Sequence, residues 1–339
     1  MSTQSTWRGR SMVSVAALAT LSLTAACSTG NEPTPAAPAG AATSAAGSTA
    51  SAGSTGGSAA KCVIGMTQIN QSAAFFTQMN EGAQAAAKEA GCDLTISNAN
   101  NDSSKQNSDI ENFVTQNVTG LIVVAIDVNG VIPAVKAARE RGIKVVAIDA
   151  KLADGAVDTF VGVDNAKAGE QAAQWMVDKG LAKGKKYGVV DAKNSFIQNQ
   201  REDSFRKAID AAGATYTQSV SGDNVQEKAA TAAQNLVTAQ PGLDFVYTTG
   251  EPATVGAVSA FRGTQGTKIV GWDLTKEVIA GIDSGAVTAV VQQDPKTEGM
   301  DAVKELKAVI GGASAKGFID VPITIVTKDN VEPYRSVFP

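Results

Sequence analysis

The sequence predicts an α/β protein made of two doubly wound, Rossmann-like lobes joined by a three-segment hinge. From residue 61 onward, apolar runs alternate with amphipathic helical patterns almost without a break. The apolar runs are continuous stretches rich in Val and Ile, which indicates strands covered on both faces, as in parallel sheets. Strand–helix units with short loops imply right-handed crossovers. The units are too numerous for one compact core, so we expect two lobes.

Four strands and three helices are predicted for the first lobe. The first helix has an Ala-rich face and closes at Gly91, a residue type that commonly ends helices. The predicted strands are 62–67, 92–97, 120–127 and 143–149. The predicted helices are 75–91, 103–118 and 131–142.

A second set of the same units follows, and it predicts the second lobe. The chain is expected to cross between lobes around 159–165, and again near Asp294 and Pro295, where a strand gives way to a long helix. The strands predicted for this lobe are 186–191, 214–220, 243–250, 267–273 and a final one within 321–330. Its helices are 199–213, 224–242 and 252–263. The expected lobes are 61–163 plus 294–322, and 164–293 plus 323–339.

The first 26 residues predict an export signal, because Arg8 and Arg10 precede an apolar run that is too short to span a membrane as a mature helix. Small residues then lead directly to Cys27, and this stretch resembles the lipobox of bacterial lipoproteins. The alternative is an ordinary secretory signal with an incidental Cys27. Residues 27–60 are rich in Ser, Thr, Ala, Gly and Pro, which predicts a flexible tether. We therefore expect an extracytoplasmic protein anchored to the cell membrane by its N-terminal lipid.

Composition excludes several function classes. The chain has no histidine, which removes Ser-His and Cys-His catalysis and His-ligated metal sites. A formal charge of −4 gives no basic footprint, so no nucleic-acid partner is expected. The sequence has no G-x-S-x-G elbow and no complete phosphate-binding loop. We expect no enzymatic activity, no cofactor and no metal, and we expect a monomer.

Cys62 and Cys92 open the first two predicted strands, with one helix between them. Neighbouring parallel strands lie about 4.8 Å apart, so the two strand starts can be close enough for a disulfide. Such a bridge persists outside the cytoplasm. Two small buried thiols are the alternative.

Several predicted strands end in a carboxylate, and these residues indicate where a ligand binds. In open parallel sheets the ligand crevice lies outside the carboxyl ends of the strands. Two facing lobes would therefore place such residues on both walls of one cleft. For Asp127 and Asp191 we favour the simpler role of capping the following helix. For Asp149 and Asp273 we favour ligand binding.

With these features in place, residues from about 62 to 330 resemble the ribose-binding-protein family, the type I periplasmic sugar-binding proteins that deliver solutes to ABC importers. The resemblance rests on "INQSAAFFTQMNEGAQ", "IKVVAID", "QREDSF", "QNLVTAQP", "IVGWD" and "VVQQDP", taken in this order. It implies a hinged two-lobe fold that closes around a monosaccharide or polyol. It also implies ABC permease and ATPase subunits as partners. A sensory protein that presents its ligand to a membrane receptor is the alternative.

The resemblance also implies a set of ligand-binding residues. Asp149 and Asp273 match the aspartates that the family places in its first and second lobes, and Gln293 matches a glutamine at the hinge. Either Asn199 or Arg201 holds the place of an arginine that clamps the ligand. The further positions are Trp272, Phe75, Phe76, Asn70, Gln71 and Glu251.

Some of these positions also have a structural explanation. Adjacent helical residues point about 100° apart, so at least one of Phe75 and Phe76 is expected in the core, and Trp272 also suits a core position. Where the family has an arginine directly after its first aspartate, this chain has Ala150 and then Lys151. Glu251 stands beside Gly250, which replaces a family asparagine. These departures weaken the case for ribose but not for the sugar-or-polyol class.

Overall fold

The computed structural model describes residues 61–71, 74–262 and 266–338. The predicted signal peptide 1–26, the lipidation site Cys27 and the tether up to residue 60 lie outside the described residues. Within the described ranges, no helix is both long enough and apolar enough to cross a membrane. No cluster of Cys, Asp and Glu in those ranges is arranged to hold a metal ion.

The first lobe is built on a parallel sheet with strand order β11-β5-β4-β3-β1-β2. Its strands are β1 (Val63–Gln68), β2 (Asp93–Asn98), β3 (Gly120–Val123), β4 (Lys144–Ile148), β5 (Thr159–Gly162) and β11 (Gly317–Asp320). Its helices are α1 (Ala74–Ala90), α2 (Ser103–Thr115), α3 (Ile132–Glu140) and α9 (Pro295–Ile310). The central strands β3, β4 and β5 are buried along most of their length, as their continuous apolar sequences predict.

The second lobe repeats this plan with strand order β12-β10-β9-β8-β6-β7. Its strands are β6 (Lys186–Asp191), β7 (Thr215–Ser221), β8 (Phe245–Thr248), β9 (Lys268–Trp272), β10 (Val287–Gln292) and β12 (Thr324–Val326). Its helices are α4 (Asn165–Asp178), α5 (Phe196–Ala211), α6 (Gln226–Ala239), α7 (Glu251–Ala260) and α8 (Lys276–Asp283), and a 3₁₀ turn (Glu332–Tyr334) follows β12. β12 runs antiparallel to β10, whereas the other strand pairs described in this sheet are parallel. The two doubly wound lobes that the sequence predicts are thereby confirmed.

The chain passes between the two sheets three times among the described residues: after β5, after β10 and after β11. The side chain of Asp320 joins two of these passages. It accepts hydrogen bonds from the Asp164 amide (3.2 Å) and from the Lys167 ammonium (2.6 Å). The sequence placed the first passage at 159–165, but residues 159–162 form an inner strand of the first sheet. The sequence also missed β11 and overestimated the length of β12.

Two glycines allow α1 and α9 to cross at backbone contact. A β-carbon on Gly82 would overlap the carbonyl oxygen of Lys296, and one on Gly299 would overlap the carbonyl oxygen of Met79. This crossing holds the hinge-proximal start of α9 against the helix that carries Phe75 and Phe76. At the other end of the sheet, Cys62 and Cys92 form a disulfide, with their Cα atoms 4.7 Å apart.

Candidate functional site

A cavity of about 470 Å³ lies where the carboxyl ends of strands from both sheets face each other. The first lobe contributes Phe75, Phe76 and Asp149 to its wall, and the second lobe contributes Arg201 and Asp273. Gln293, in the passage between β10 and α9, and Glu251, at the start of α7, complete the predicted residues that line it. The position agrees with the general rule that open α/β sheets bind ligands beyond their carboxyl strand ends.

Asp149 and Asp273 occupy equivalent positions in the two lobes. Each directly follows a buried strand, and each has a left-handed backbone, with φ of 64° and 60°. The amide of Asp149 donates to the carbonyl of Val161 (3.0 Å), and that of Asp273 to the carbonyl of Val291 (3.0 Å). Each residue is thus tied to the neighbouring strand. A non-glycine residue with positive φ is uncommon and costs free energy, so its occurrence at both strand ends points to a functional constraint.

The two carboxylates differ in how many hydrogen bonds the protein itself gives them. Asp273 accepts one from the Gln293 side-chain amide at 2.9 Å. The Asp149 carboxylate has no hydrogen-bond partner among residues 61–71, 74–262 and 266–338. Because an ionised carboxylate offers about four acceptor positions, most acceptor capacity of the pair faces the cavity unused.

Arg201 is buried and held on three sides. Its Nε donates to Asn165 Oδ1 (2.7 Å), Nη1 to the Thr249 carbonyl (3.2 Å) and Nη2 to Gln293 Oε1 (3.3 Å). The guanidinium also lies 3.6 Å from the centre of the Trp272 ring, a cation–π geometry. Three of its five N–H groups are therefore used, and one on each Nη is left for a ligand.

Burial changes the ionisation of these groups. It raises the pKa of Asp149, and Arg201 opposes the change while Asp273 adds to it. It likewise raises the pKa of Asp273, against the effects of Arg201 and the Gln293 hydrogen bond. Burial lowers the pKa of Arg201, and the nearby carboxylates oppose that change. The pKa of Glu251, whose side chain is exposed, is raised by partial desolvation and then by the carboxylates of Asp273 and Glu277. A ligand that donates hydrogen bonds to these carboxylates would favour their charged forms.

Trp272 is not on the cavity wall, contrary to the sequence prediction of ligand contact. It is fully buried, and its indole Nε1 donates to the Tyr247 hydroxyl at 2.7 Å. Side chains alternate along a strand, so the last residue of β9 enters the core while the next one, Asp273, turns into the cleft. The Trp272 ring instead packs against the guanidinium of Arg201.

Three other predicted residues also lie outside the wall. Asn199 donates to the Lys193 carbonyl (3.0 Å), so of the two candidates for the arginine position, Arg201 is the one in the cavity. Asn70 donates to Asn101 Oδ1 (3.2 Å), and the carbonyl of Gln71 accepts from the Thr77 hydroxyl (3.5 Å). Neither Asn70 nor Gln71 is among the residues that line the cavity.

Asp127 and Asp191 also stay out of the cavity. The Asp127 carboxylate accepts hydrogen bonds from the amides of Asn129 (2.9 Å) and Gly130 (3.0 Å), so it caps its own turn and not, as the sequence had predicted, the helix α3 that follows. Asp191 does not cap the following helix α5, contrary to the prediction. Its side chain is buried, lies 3.1 Å from the Lys193 ammonium and accepts a hydrogen bond from the Ser219 hydroxyl.

The sequence interpretation missed an amide pair in the second-lobe wall. Gln198 accepts from the Thr249 hydroxyl (2.7 Å) and donates to Asn224 Oδ1 (2.8 Å), and both amide residues line the cavity. Asn224 has a positive φ of 60°. The available signal was the "GDN" stretch after β7, since Asn and Asp tolerate this conformation better than other non-glycine residues. Val337 and Phe338 also reach the wall, and no local pattern predicted this.

Residues 64–314 match the family model of the periplasmic binding protein domain. The ribose import binding protein of Bacillus subtilis is 29% identical over 274 residues, which cover 80% of this chain and 89% of that protein. A xylitol-binding protein of Mycolicibacterium smegmatis is 27% identical, covering 79% of this chain and 78% of that protein. The crystal structure of a periplasmic ribose ABC transporter from Conexibacter woesei has a TM-score of 0.77 at 26% identity, covering 83% of this chain and 97% of that chain. The matched residues span both sheets.

Proposed function

The chain belongs to the periplasmic binding protein family, and from that premise we propose that it captures a small sugar or polyol between its lobes and delivers it to an ABC importer. The observation that carries the proposal is the pair of strand-end carboxylates, Asp149 and Asp273, one from each lobe, in the wall of one cavity with Arg201. The family consists of extracytoplasmic binding proteins and not of enzymes.

The chemistry of the wall suits a polyhydroxylated neutral molecule. A carboxylate accepts from two neighbouring hydroxyls, and the free N–H groups of Arg201 donate to hydroxyl oxygens. Hydrogen bonds to charged groups contribute about 1.5–3 kcal/mol each. Phe75 and Phe76 stand with their rings edge to face at 5.4 Å and offer apolar surface to the C–H groups of a sugar.

Ligand capture requires both walls, because each supplies one of the two carboxylates. Closure about the three passages would bring Asp149 toward a ligand that already contacts Asp273 and Arg201. A ligand stabilises the closed form to the extent that it binds that form more tightly than the open one. The closed protein then presents both lobes together to the permease.

Among the described residues, Arg201 is the one arginine that lines the cavity, whereas the family has a second arginine directly after its first aspartate. This difference favours a ligand class wider than ribose. Lys151, near the place where the family has a second arginine, is exposed and pairs with Asp154 at 2.9 Å. The relatives' names include ribose import and xylitol binding, so pentoses and linear polyols lead the list of candidates. Neither the cavity nor the relatives' names favour the sensory alternative.

We further propose that the mature protein is a lipoprotein attached through Cys27, monomeric, and tethered by residues 27–60. Metabolic labelling with a radioactive fatty acid tests the anchor. The wild-type protein should incorporate label, and Cys27→Ala should not. Labelling of Cys27→Ala to the wild-type level would refute the anchor and leave the cleft assignment untouched.

The binding function is tested by calorimetry of the purified protein with D-ribose, D-allose, D-xylose, D-galactose, xylitol and myo-inositol. Asp149→Asn and Asp273→Asn should each weaken the tightest ligand by about 10–100-fold, the loss expected for one charge-assisted hydrogen bond. Asp127→Asn is the matched control, since it also follows a strand but caps its own turn. Equal losses in all three variants would contradict the site. The bound sugar should be recovered chemically unchanged, and conversion into a product would contradict a role confined to binding.

A further inference from the structure

Glu298, in the first turn of α9, is the most anomalous charged residue near the cleft. It is fully buried, and neither of its carboxyl oxygens has a hydrogen-bond partner in the described part of the chain. Native proteins rarely leave a buried polar group without a partner, and each such group calls for an explanation. The function proposed above does not use it.

Its surroundings explain why it matters to the cleft. Glu298 sits beside Gly299, at the crossing of α9 with α1, where α1 presents Met79 and Ala83. α9 also packs on β4, the strand that directly precedes Asp149, and on β3 and β5, whose strand residues include no charged side chain. The charged residues of α1 are exposed: Glu81, Lys88 and Glu89.

The charges that act on Glu298 are mostly negative. Burial raises its pKa well above the ordinary value, and the carboxylates of Asp149, Asp294 and Asp273 raise it further, in that order. Arg201 is the cation that opposes them. A carboxyl group in such a setting favours its neutral form, because an unpaired buried charge costs far more than a neutral acid.

A second glutamate on the same helix shows that burial alone is not the cause. Glu305 is equally enclosed, but its Oε1 accepts from the Thr159 hydroxyl (2.8 Å) and from the Lys316 amide (2.8 Å). The Lys316 ammonium lies 3.6 Å from Oε2. Glu305, two turns further along α9, therefore has hydrogen-bond partners, whereas Glu298, near the cleft, has none among the described residues.

We propose that Glu298 is a positioning residue of the ligand site: a neutral carboxylic acid packed behind Asp149, whose ionisation weakens ligand binding. The inference rests on the proposed binding function. Ionised Glu298 would add another negative charge next to Asp149 in a cleft that contains one arginine. A ligand that excludes water from the cavity makes that charge costlier, so the bound protein holds the Glu298 proton more tightly than the free protein does.

The sign of the pH effect follows from this linkage. If ligand raises the pKa of Glu298, affinity is full below the pKa of the free protein and falls as pH rises through it. Each unit by which ligand raises that pKa weakens binding about tenfold on the alkaline side. The chain has no histidine and its two described cysteines are disulfide-bonded, so few other side chains ordinarily titrate between pH 6 and pH 9. Asp149, Asp273 and Glu251 also have raised pKa values, so the Glu298 contribution has to be isolated by substitution.

The first experiment needs no ligand. Glutamate labelled with ¹³C at its side-chain carboxyl is incorporated into the purified protein, and the Glu298 resonance is identified by its loss in Glu298→Gln. We expect a protonated carboxyl at pH 7 and a lower titration midpoint in Asp149→Asn, which removes the carboxylate that raises the pKa of Glu298 most. An ionised Glu298 at pH 7, or a midpoint unaffected by Asp149→Asn, would overturn the proposal.

The second experiment measures calorimetric affinity for D-ribose and xylitol between pH 6 and pH 9. As pH rises, the wild-type protein and the matched control Glu305→Gln should lose affinity, by about tenfold for each unit by which ligand raises the pKa of Glu298. Glu298→Gln should retain its affinity across this pH range. The same pH profile in wild type and Glu298→Gln would also overturn the proposal. If neither probe binds, the six-ligand panel decides the proposed function, and the carboxyl titration alone decides the role of Glu298.

Discussion

The position of Arg201 depends on a glycine in the neighbouring helix, and this gives a sharp prediction for Gly169→Ala. Gly169 lies in α4, and a β-carbon there would overlap the Arg201 carbonyl oxygen and lie 3.1 Å from its carbonyl carbon. Carbon atoms in contact are ordinarily about 3.5–4.0 Å apart. The start of α5 would therefore have to move by roughly 0.5–1 Å to accommodate the methyl group.

Such a displacement affects both stability and binding. Overpacking of this kind costs about 1–3 kcal/mol. The Nη contacts of Arg201 to Thr249 and Gln293 are already 3.2 and 3.3 Å long, so a shift of this size takes them beyond hydrogen-bond range. We expect Gly169→Ala to lower the free energy of unfolding by about 1–3 kcal/mol and to weaken ligand binding at least about tenfold.

The matched control is Gly256→Ala in α7. A β-carbon there would lie 2.7 Å from the Ala230 amide nitrogen and 2.9 Å from the Ala229 β-carbon, and none of these three residues lines the cavity. Gly256→Ala should lose stability to a similar degree in urea denaturation. Its ligand affinity, measured by calorimetry, should stay at the wild-type value. If both variants lose stability but Gly169→Ala binds as tightly as Gly256→Ala, the coupling between this helix crossing and Arg201 is wrong.

Three further predictions follow from buried charges and the disulfide. Asp149→Asn and Asp273→Asn should raise the melting temperature at pH 7 by about 2–4 °C, the change that 1 kcal/mol produces in domains of this size. Since both folded-state pKa values lie above the unfolded ones, this gain should disappear as pH falls toward 4, and a gain that persists at pH 4 would contradict it. Glu298→Met should stabilise the protein in urea denaturation, whereas Glu305→Met should destabilise it by about 1–3 kcal/mol because it strands two donors; the same sign for both would refute the contrast. Reducing the Cys62–Cys92 bridge, which joins residues 30 apart, should lower the free energy of unfolding by about 3–4 kcal/mol on the chain-entropy model, and an unchanged denaturation midpoint would contradict it.

The sequence predicted the two lobes well because their strands carry a strong local signal. Continuous Val and Ile runs mark the inner strands, and an aspartate directly after β4 and β9 marks the cleft. β11 and β12 were predicted poorly because they are short edge strands with exposed or mixed side chains, where packing and not local pattern decides pairing.

The site was harder to predict wherever tertiary contacts decide which side chain reaches the cavity. Trp272 and Asp273 are adjacent, yet pleating and a left-handed backbone send one into the core and the other into the cleft. Asn199 and Arg201 are two residues apart on α5, so their side chains point about 200° apart around the helix. A two-residue shift in aligning α5 with the family therefore exchanges a side chain outside the cavity for one that lines it. Gln198 and Asn224 become neighbours only when α5 and the loop after β7 pack together.

The cleft concentrates features that cost stability in the free protein, and this determines how its substitutions should behave. Asp149 and Asp273 have left-handed backbones, raised pKa values and unused acceptors, so their cost is offset only when a ligand donates to them. Replacing either should stabilise the free protein and weaken binding, the trade-off expected of groups kept for function. Gly169 belongs to the scaffold, so its substitution should lower both quantities together. Glu298→Gln should behave differently from both the aspartate and the Gly169 substitutions. Gln preserves the shape and neutrality of the side chain, so the change should remove only the dependence of affinity on pH.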